Sequence, residues 1–217
     1  MKIEIKRSIF ATNDQEAEAV RKKLAGLELA AVNLLASPGA GKTSLLLRLL
    51  ALLAPKMAVG VIEGDVASSI DAEKIKAAGY PVVQLNTDGG CHLSAAMIGP
   101  ALDQLGLKGP GIVFIENIGN LICPAEFDLG ESLRLVEASV PEGDDKPVKY
   151  PGIFQTADAI VVNKIDLLGQ VEFDPELFNS RVKVLNDRAP VFSVSCRANT
   201  GLEPLADWLI KQLTRGL

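Results

Sequence analysis

Histidine is all but missing from this sequence. A single one, His92, occurs in 217 residues, and cysteine occurs only three times, at Cys91, Cys123 and Cys196. Three scattered cysteines make no disulfide framework, so a reducing, cytoplasmic setting is the simplest expectation. Positive charge is also in short supply. Lys and Arg number 22 against 27 Asp and Glu, a net charge of -5, which argues against the basic face that nucleic-acid binding needs. Long hydrophobic runs are absent too. The most apolar stretch, "SLLLRLLALLA" (44–54), is too short to span a bilayer and carries Arg48. The start, "MKIEIKRSIFATNDQE", alternates apolar and charged residues and lacks the apolar centre of a signal peptide. Neither nucleic acid nor membrane is an expected partner. There is no internal repeat and no low-complexity tract.

What is present is an ordinary globular balance, 48% hydrophobic and 23% charged. Apolar runs at 30–36, 57–63, 81–86, 111–117, 159–164 and 190–195 predict strands, several of them continuous, as when helices cover both sheet faces. Between them lie predicted helices at 43–53, 70–78, 92–105, 176–188 and 202–214. This order predicts an α/β fold of the P-loop NTPase type, three layers around a mostly parallel sheet, with ligands beyond the carboxyl ends of the strands. "NDQEAEAVRKKLA" (13–25) reads as a leading helix with Asn13 as N-cap and Glu16 completing a capping box. Residues 1–28 are expected to form a strand/helix extension packed on a main domain of residues 29–217, one globular unit overall. "PEGDDKPVKYPG" (141–152) reads as an irregular loop.

The chemistry begins with "ASPGAGKTSLLL" (36–47). Gly39, Ala40, Gly41, Lys42, Thr43 and Ser44 fit the end of the phosphate loop G-x-x-x-x-G-K-[ST], with Ala36 replacing the first glycine. Backbone N–H groups and a helix N-terminus would cradle phosphates, Lys42 would reach the β- and γ-phosphates, and Thr43 would offer its hydroxyl to Mg²⁺. "NKID" (163–166) fits the guanine-reading signature. Asp166 can accept from N1–H and the 2-amino group of guanine, Asn163 is expected to touch the base and brace the phosphate loop, and Lys164 to lie along the ring. In "SVSCRANTG" (193–201), Ser195, Cys196 and Arg197 are expected to supply backbone contacts to guanine O6, the Cys196 side chain itself being a small buried group. GTP or GDP is therefore the expected nucleotide.

Two further strand ends carry carboxylates, "VIEGDVASSID" (61–71) and "FIENIGNLICP" (114–124). Asp65 and Glu116 are expected beside the γ-phosphate and Mg²⁺, Asp71 is a third possibility, and Gly119 could donate its N–H to the γ-phosphate. Lys42, Asp65 and Glu116 form the expected catalytic set. "TDGGCHLSAAM" (87–97) brings Cys91 and His92 together, with Gly89 and Gly90 as a hinge. Two thiolates and one imidazole, with Cys123, suit Zn²⁺ or Ni²⁺ and leave a coordination position open. Reduced, half-buried cysteines beside a surface histidine remain the bland alternative. A nucleophilic cysteine is disfavoured, since no carboxylate or amide is placed by sequence to orient His92.

"SPGAGKTSLL", "VIEGD", "GGCHL", "FIENIGNLICP…FDLGE", "DKPVKYP" and "VVNKID" together resemble the HypB family of GTPases, which assist nickel insertion into [NiFe]-hydrogenase. The resemblance runs from about residue 30 onward. UreG, the urease accessory GTPase, is similar in its phosphate loop but carries a proline between its cysteine and histidine. The resemblance implies that Cys91, His92 and Cys123 form the family's Ni²⁺ or Zn²⁺ site near a dimer interface. It implies that Lys42, Thr43 and Glu116 serve nucleotide and magnesium, and that Lys149 reaches the partner subunit's nucleotide. It also implies a homodimer when GTP is bound, a HypA-like nickel chaperone as partner and the hydrogenase large-subunit precursor as client. The N-terminal cysteine or histidine tract of many members has no counterpart before Cys91, so metal handling is expected to rest on the 91/92/123 site. A urease-type accessory GTPase, a regulatory GTPase without a metal role and a small-molecule P-loop kinase are the rivals. Asp166→Asn should weaken GTP binding and improve xanthine-nucleotide binding; unchanged GTP affinity in a direct titration would overturn the base assignment.

Overall fold

A computed structural model describes residues 2–213. Helix α1 (Lys2–Gly26) leads into β1 (Leu29–Ala36), and α2 (Lys42–Leu53), β2 (Ala58–Asp65), α3 (Ile70–Ala77), β3 (Val82–Asn86), α4 (Ala95–Leu105) and β4 (Gly111–Glu116) follow in alternation. The second half runs β5 (Leu133–Ser139), α5 (Lys146–Lys149), α6 (Pro151–Gln155), β6 (Ala159–Asn163), α7 (Pro175–Leu185), β7 (Val191–Ser193) and α8 (Leu202–Leu213). The seven strands form one sheet in the order β3-β2-β4-β1-β5-β6-β7, with every pairing parallel.

The predicted α/β alternation is present, with differences that have physical causes. A seventh strand, β5, was not predicted, because Arg134 and Glu137 interrupt the apolar run of "LRLVEAS". The 141–152 segment is not an irregular loop but holds a 3-10 turn (Val140–Glu142) and the short helices α5 and α6, each opened by proline near its first turn. Residues 2–26 form one helix, with no strand before it, and position 214, expected to end α8, lies outside the described residues. Among the described residues, no helix is long and apolar enough to cross a membrane.

Alternation along β1 sorts the core. Ala30, Val32 and Leu34 pack with Leu45, Leu46, Leu49 and Leu50 of α2 and with Leu205 and Leu209 of α8. Leu29 and Ala31 turn to the other face, against Val20 and Leu24 of α1 and Ile98 and Leu102 of α4. Further along that face Leu35 packs with Phe154 of α6 and Phe178 of α7. β1 is buried along its whole length, with β4 on one side and β5 on the other, so the chain leaving its carboxyl end emerges at the middle of the sheet.

Asn13 is not an N-cap. It sits inside α1, 4% exposed, where its Nδ2 donates to the Asp128 carbonyl (2.7 Å) and its Oδ1 accepts from the Ala95 N–H (3.0 Å). α1 thereby satisfies one of the orphan donors at the start of α4 and grips the chain after Cys123. Asn13→Ala strands both groups in the interior and should destabilise the protein by about 1–3 kcal/mol in urea unfolding. A loss below a few tenths would mean water replaces the bridge.

Candidate nucleotide and metal site

β1 ends at the buried Ala36, whose extended conformation a glycine does not need to supply. The loop then turns through Gly39 (φ +77°) and Gly41 (φ +126°) into α2. At position 41 a Cβ would lie 2.6 Å from Asn163 Nδ2 and 3.1 Å from Glu137 Oε1, so both conformation and space require glycine. Ala40 is buried, Lys42 and Thr43 are half-buried, and Ser44 is exposed on the first turn of α2. An anion in this loop would meet the positive end of a twelve-residue helix.

The "NKID" motif sits at the carboxyl end of β6. Asn163 is 1% exposed at the end of β6; its Nδ2 donates to Glu137 Oε1 (2.8 Å), while its Oδ1 accepts from the N–H groups of Lys164 (2.7 Å) and Cys196 (3.3 Å). Its side chain braces the loops around it. Lys164 adopts the left-handed conformation (φ +61°) and donates from Nζ to the Gly39 carbonyl (2.5 Å), laying its stem across the phosphate loop. Asp166 is half-buried and accepts from Ser195 Oγ (2.5 Å), which itself accepts from the Ala198 N–H. The Ser195 and Cys196 N–H groups donate to the Thr200 carbonyl and to Asn163 Oδ1. Arg197 is exposed and lines, with Ser44, Arg48 and Tyr80, a cavity of about 570 Å³ beside the loop. The Cys196 thiol is buried, which pushes its pKa up to about 11, as suits a packing group.

Carboxylates crowd the neighbouring strand ends. Thr43 Oγ1 donates to Glu116 Oε1 (2.9 Å), and Glu63 stands beside Glu116 across the β2–β4 pairing. Both are buried, and each has an Oε2 with no hydrogen-bond partner among the described residues. Burial, and for Glu63 the neighbouring acids, raise their pKa values to about 8 for Glu63 and about 7 for Glu116, while Lys42 opposes the shift. Unpaired buried carboxylate oxygens beside a threonine hydroxyl are a donor set suited to a hard cation such as Mg²⁺. Asp65 is engaged otherwise: its Oδ1 accepts from Ala67 (2.8 Å) and Ser68 (2.7 Å), closing the turn before α3 and holding its pKa down. Asp71 is paired with Lys74 at 2.8 Å. Gly119 packs on the phosphate loop, where a Cβ would lie 3.1 Å from Pro38.

The sulfur and nitrogen ligands meet on the same edge. Cys91 Sγ, one ring nitrogen of His92 and Cys123 Sγ lie within 4.8 Å of one another. Gly89 and Gly90 do not form an open hinge. Asp88 (φ +48°) and Gly89 (φ +96°) make a tight turn closed by the Gly90 N–H on the Thr87 carbonyl (3.0 Å), and Thr87 Oγ1 also donates to the Gly90 carbonyl. Helix α4 starts at Ala95 and not at His92, which leaves His92 in loop conformation, stacked on Phe127 with ring centroids 3.8 Å apart. Burial lowers the His92 pKa, favouring the neutral ring that binds metal, and the hydrogen bond with Cys123 raises that of Cys91.

A family model described as the CobW/HypB/UreG nucleotide-binding domain matches residues 30–193. The hydrogenase maturation factor HypB of Azotobacter vinelandii is 44% identical over 210 residues, covering 97% of this chain and 69% of that protein. The chain belongs to the HypB family. HypB of Escherichia coli K12 is 40% identical, over 97% of this chain and 72% of that protein. Among solved structures, HypB from Helicobacter pylori in complex with nickel superposes with a TM-score of 0.90 at 33% identity, covering 94% of this chain and 96% of that one. HypB from Archaeoglobus fulgidus gives 0.87 at 37% identity, over 94% and 99%.

Within this HypB-family fold, Lys149 stays away from its own nucleotide loop. It is exposed on α5 and pairs with Asp145 at 2.5 Å. Its neighbour Lys146 approaches the phosphate loop instead, 3.3 Å from Ser37 Oγ and 3.2 Å from Glu142. Sequence reading also passed over Glu63 and Glu137; the available signal was a glutamate set inside an otherwise apolar buried strand. Glu137 is fully buried, and the loss of hydration raises its pKa from 4.5 to about 7, against the pull of its Asn163 hydrogen bond. A carboxyl raised in this way holds its proton more tightly when folded. Its contribution to stability is present below about pH 4.5 and is lost as pH rises toward 7. Glu137→Gln keeps the acceptor for Asn163 and removes that loss. Without nucleotide or metal, the variant should gain on the parent between about pH 5 and pH 8, on the order of 2–3 kcal/mol. Parallel stability–pH curves for the two proteins would exclude Glu137 as the source.

Proposed function

We propose that this chain is a GTP-hydrolysing metallochaperone that carries Ni²⁺, or Zn²⁺ in its place, for the maturation of a [NiFe]-hydrogenase. One observation carries the reading: the Cys91, His92 and Cys123 ligand atoms converge at a single point, on the same edge of the sheet as the phosphate loop. The relatives' role as hydrogenase maturation factors and the nickel in the Helicobacter pylori structure support it. Residues 1–28 are an extension on a GTPase domain of residues 29–217. The chain works in the cytoplasm and, with GTP bound, as a homodimer. It takes nickel from a HypA-like chaperone and passes it to the hydrogenase large-subunit precursor.

In this reading the loop through Gly39, Ala40, Gly41 and Ser44 binds the phosphates of GTP or GDP, and Lys42 neutralises charge that develops on the γ-phosphoryl group. Asp166 reads guanine, with Asn163, Ser195 and Cys196 holding the reading loop in place and Lys164 and Arg197 flanking it. Thr43 and Glu116 hold Mg²⁺, with Asp65 near them and Glu63 added as a buried neighbour. The ion would supply positive charge that offsets the phosphates there. Lys149 serves the partner subunit's nucleotide, whereas Lys146 steadies the phosphate loop of its own. The metal is cargo. Two thiolates and a neutral imidazole are a soft set suited to Ni²⁺ or Zn²⁺, and three ligands leave room for a further one.

Nucleotide and cargo communicate over a short path. Glu116 and Cys123 lie on one segment, whose Gly119 packs on Pro38 and whose Asn120 donates from Nδ2 to the Cys91 carbonyl (3.2 Å). Ni²⁺ affinity measured with GDP and with a non-hydrolysable GTP analogue should therefore differ, by about 5- to 150-fold for a typical coupling. Cys91→Ala, His92→Ala and Cys123→Ala should each weaken Ni²⁺ binding. Undiminished stoichiometry and affinity in all three would refute the site, and equal affinity in both nucleotide states would refute the coupling.

A further inference from the structure

Two separate loops bring the sulfur and nitrogen ligands together, and a buried hydrogen-bond chain spans the gap between them. Asn117, 1% exposed and directly after Glu116, accepts at Oδ1 from the Leu93 N–H (3.3 Å), the residue following His92, and from its own neighbour Ile118 (2.9 Å). Its Nδ2 donates to Asn33 Oδ1 (3.2 Å) in the fully buried middle of β1. Asn33 Nδ2 in turn donates to Glu131 Oε1 (3.3 Å). Glu131 is gripped by Arg134 of β5, whose Nε lies 2.6 Å from the same oxygen. The Arg134 guanidinium then reaches back with Nη1 to the Ala125 carbonyl (3.1 Å) and with Nη2 to the Phe127 carbonyl (3.2 Å). Those two carbonyls belong to the segment that starts at Cys123 and carries the ring stacked on His92.

Nothing in the core requires polar residues here. β1 is otherwise apolar except for Asn33, and an amide at its centre would carry a desolvation cost of about 1–3 kcal/mol without its partners. The chain ties the His92 arm at one end and the Cys123 arm at the other, and its middle is anchored in the two central strands. A guanidinium fork holding two carbonyls and a carboxylate at once fixes direction as well as distance, which a lysine cannot reproduce.

We infer that Asn117, through Asn33, Glu131 and Arg134, is a positioning residue that sets the separation of the His92 and Cys123 arms of the metal site. It rests on the metal reading of Cys91, His92 and Cys123 given above. Because Asn117 is bonded in sequence to Glu116, any shift of that residue reaches both arms through one carboxamide.

The test is a Ni²⁺ titration of the full chain, read by affinity and by the thiolate-to-nickel charge-transfer absorbance, with GDP affinity and melting temperature measured alongside. Asn117→Ala and Arg134→Lys should each weaken Ni²⁺ binding on the order of 10- to 100-fold and shift the absorbance band. GDP binding to Arg134→Lys should stay at the parent value. In a Cys123→Ala background, where only one arm still binds, adding Arg134→Lys should change Ni²⁺ affinity by no more than roughly twofold, since coupled residues are not additive. Should Asn117→Ala fail to fold, Arg134→Lys alone decides. Parent-like affinity and band position in a folded variant, or full additivity with Cys123→Ala, would overturn the positioning role while leaving the metal site standing. Parent-like binding in all the ligand variants would instead overturn the site, and this role with it.

Discussion

The carboxamide of Asn163 fills the space that a side chain at position 41 would need. One buried group thereby holds three loops in register: it lies against the phosphate loop at Gly41, donates to Glu137 of β5, and accepts from the backbone at Lys164 and Cys196. The phosphate loop lies more than a hundred residues before the other two, the loop after β6 and the loop after β7, and the relative placement of all three depends on this junction. Its hydrogen bonds are short and shielded from water, where a polar group is costly to leave unpaired and correspondingly specific when satisfied. The conformational freedom of Gly41 is one half of the arrangement, and the fixed amide beneath it is the other.

Around that junction the fold gathers negative charge. Glu63, Glu116 and Glu137 lie at or within two residues of the carboxyl ends of their strands and all are buried, each with an oxygen that no protein group satisfies among the described residues. Their raised pKa values have one main cause, the loss of water, and Lys42 is the common cation that opposes it. A cation placed among them would offset both the lost hydration and the mutual repulsion.

The loops that carry Cys91, His92 and Cys123 are framed by α1, which reaches them through Asn13 on Ala95 and Asp128, through the ion pair of Arg21 with Asp128 and through Phe10 against Phe127. Asn33, alone among the residues of β1 in being polar, continues the same frame inward. The Glu116–Cys123 segment passes between the phosphate loop, which Gly119 meets at Pro38, and the Cys91 loop, whose carbonyl Asn120 reaches.

Much of this was legible in the residues themselves. The phosphate loop, the strand before it and the helix after it depend on neighbours a few positions apart, so glycine spacing and apolar runs specify them. Six of the strands and the six predicted helices, the leading one included, share that local origin. The Cys91–His92 pair could be seen, but its meeting with Cys123 rested on a family resemblance until the fold brought the loops together. β5 escaped because a strand buried on both faces is recognised by its apolar run, and its glutamate is tolerated only by a partner, Asn163, that lies 26 residues away. Asn13 carried the local marks of a helix cap, yet it lies inside α1, where Ala95 and Asp128, 82 and 115 positions distant, claim its side chain. Sequence by itself determined which segments are strands, helices and phosphate-binding turns, because those obey short-range periodicity. Only the tertiary structure decided which polar side chains are buried and what satisfies them, because a buried hydrogen bond needs a partner that the chain must first be folded to supply.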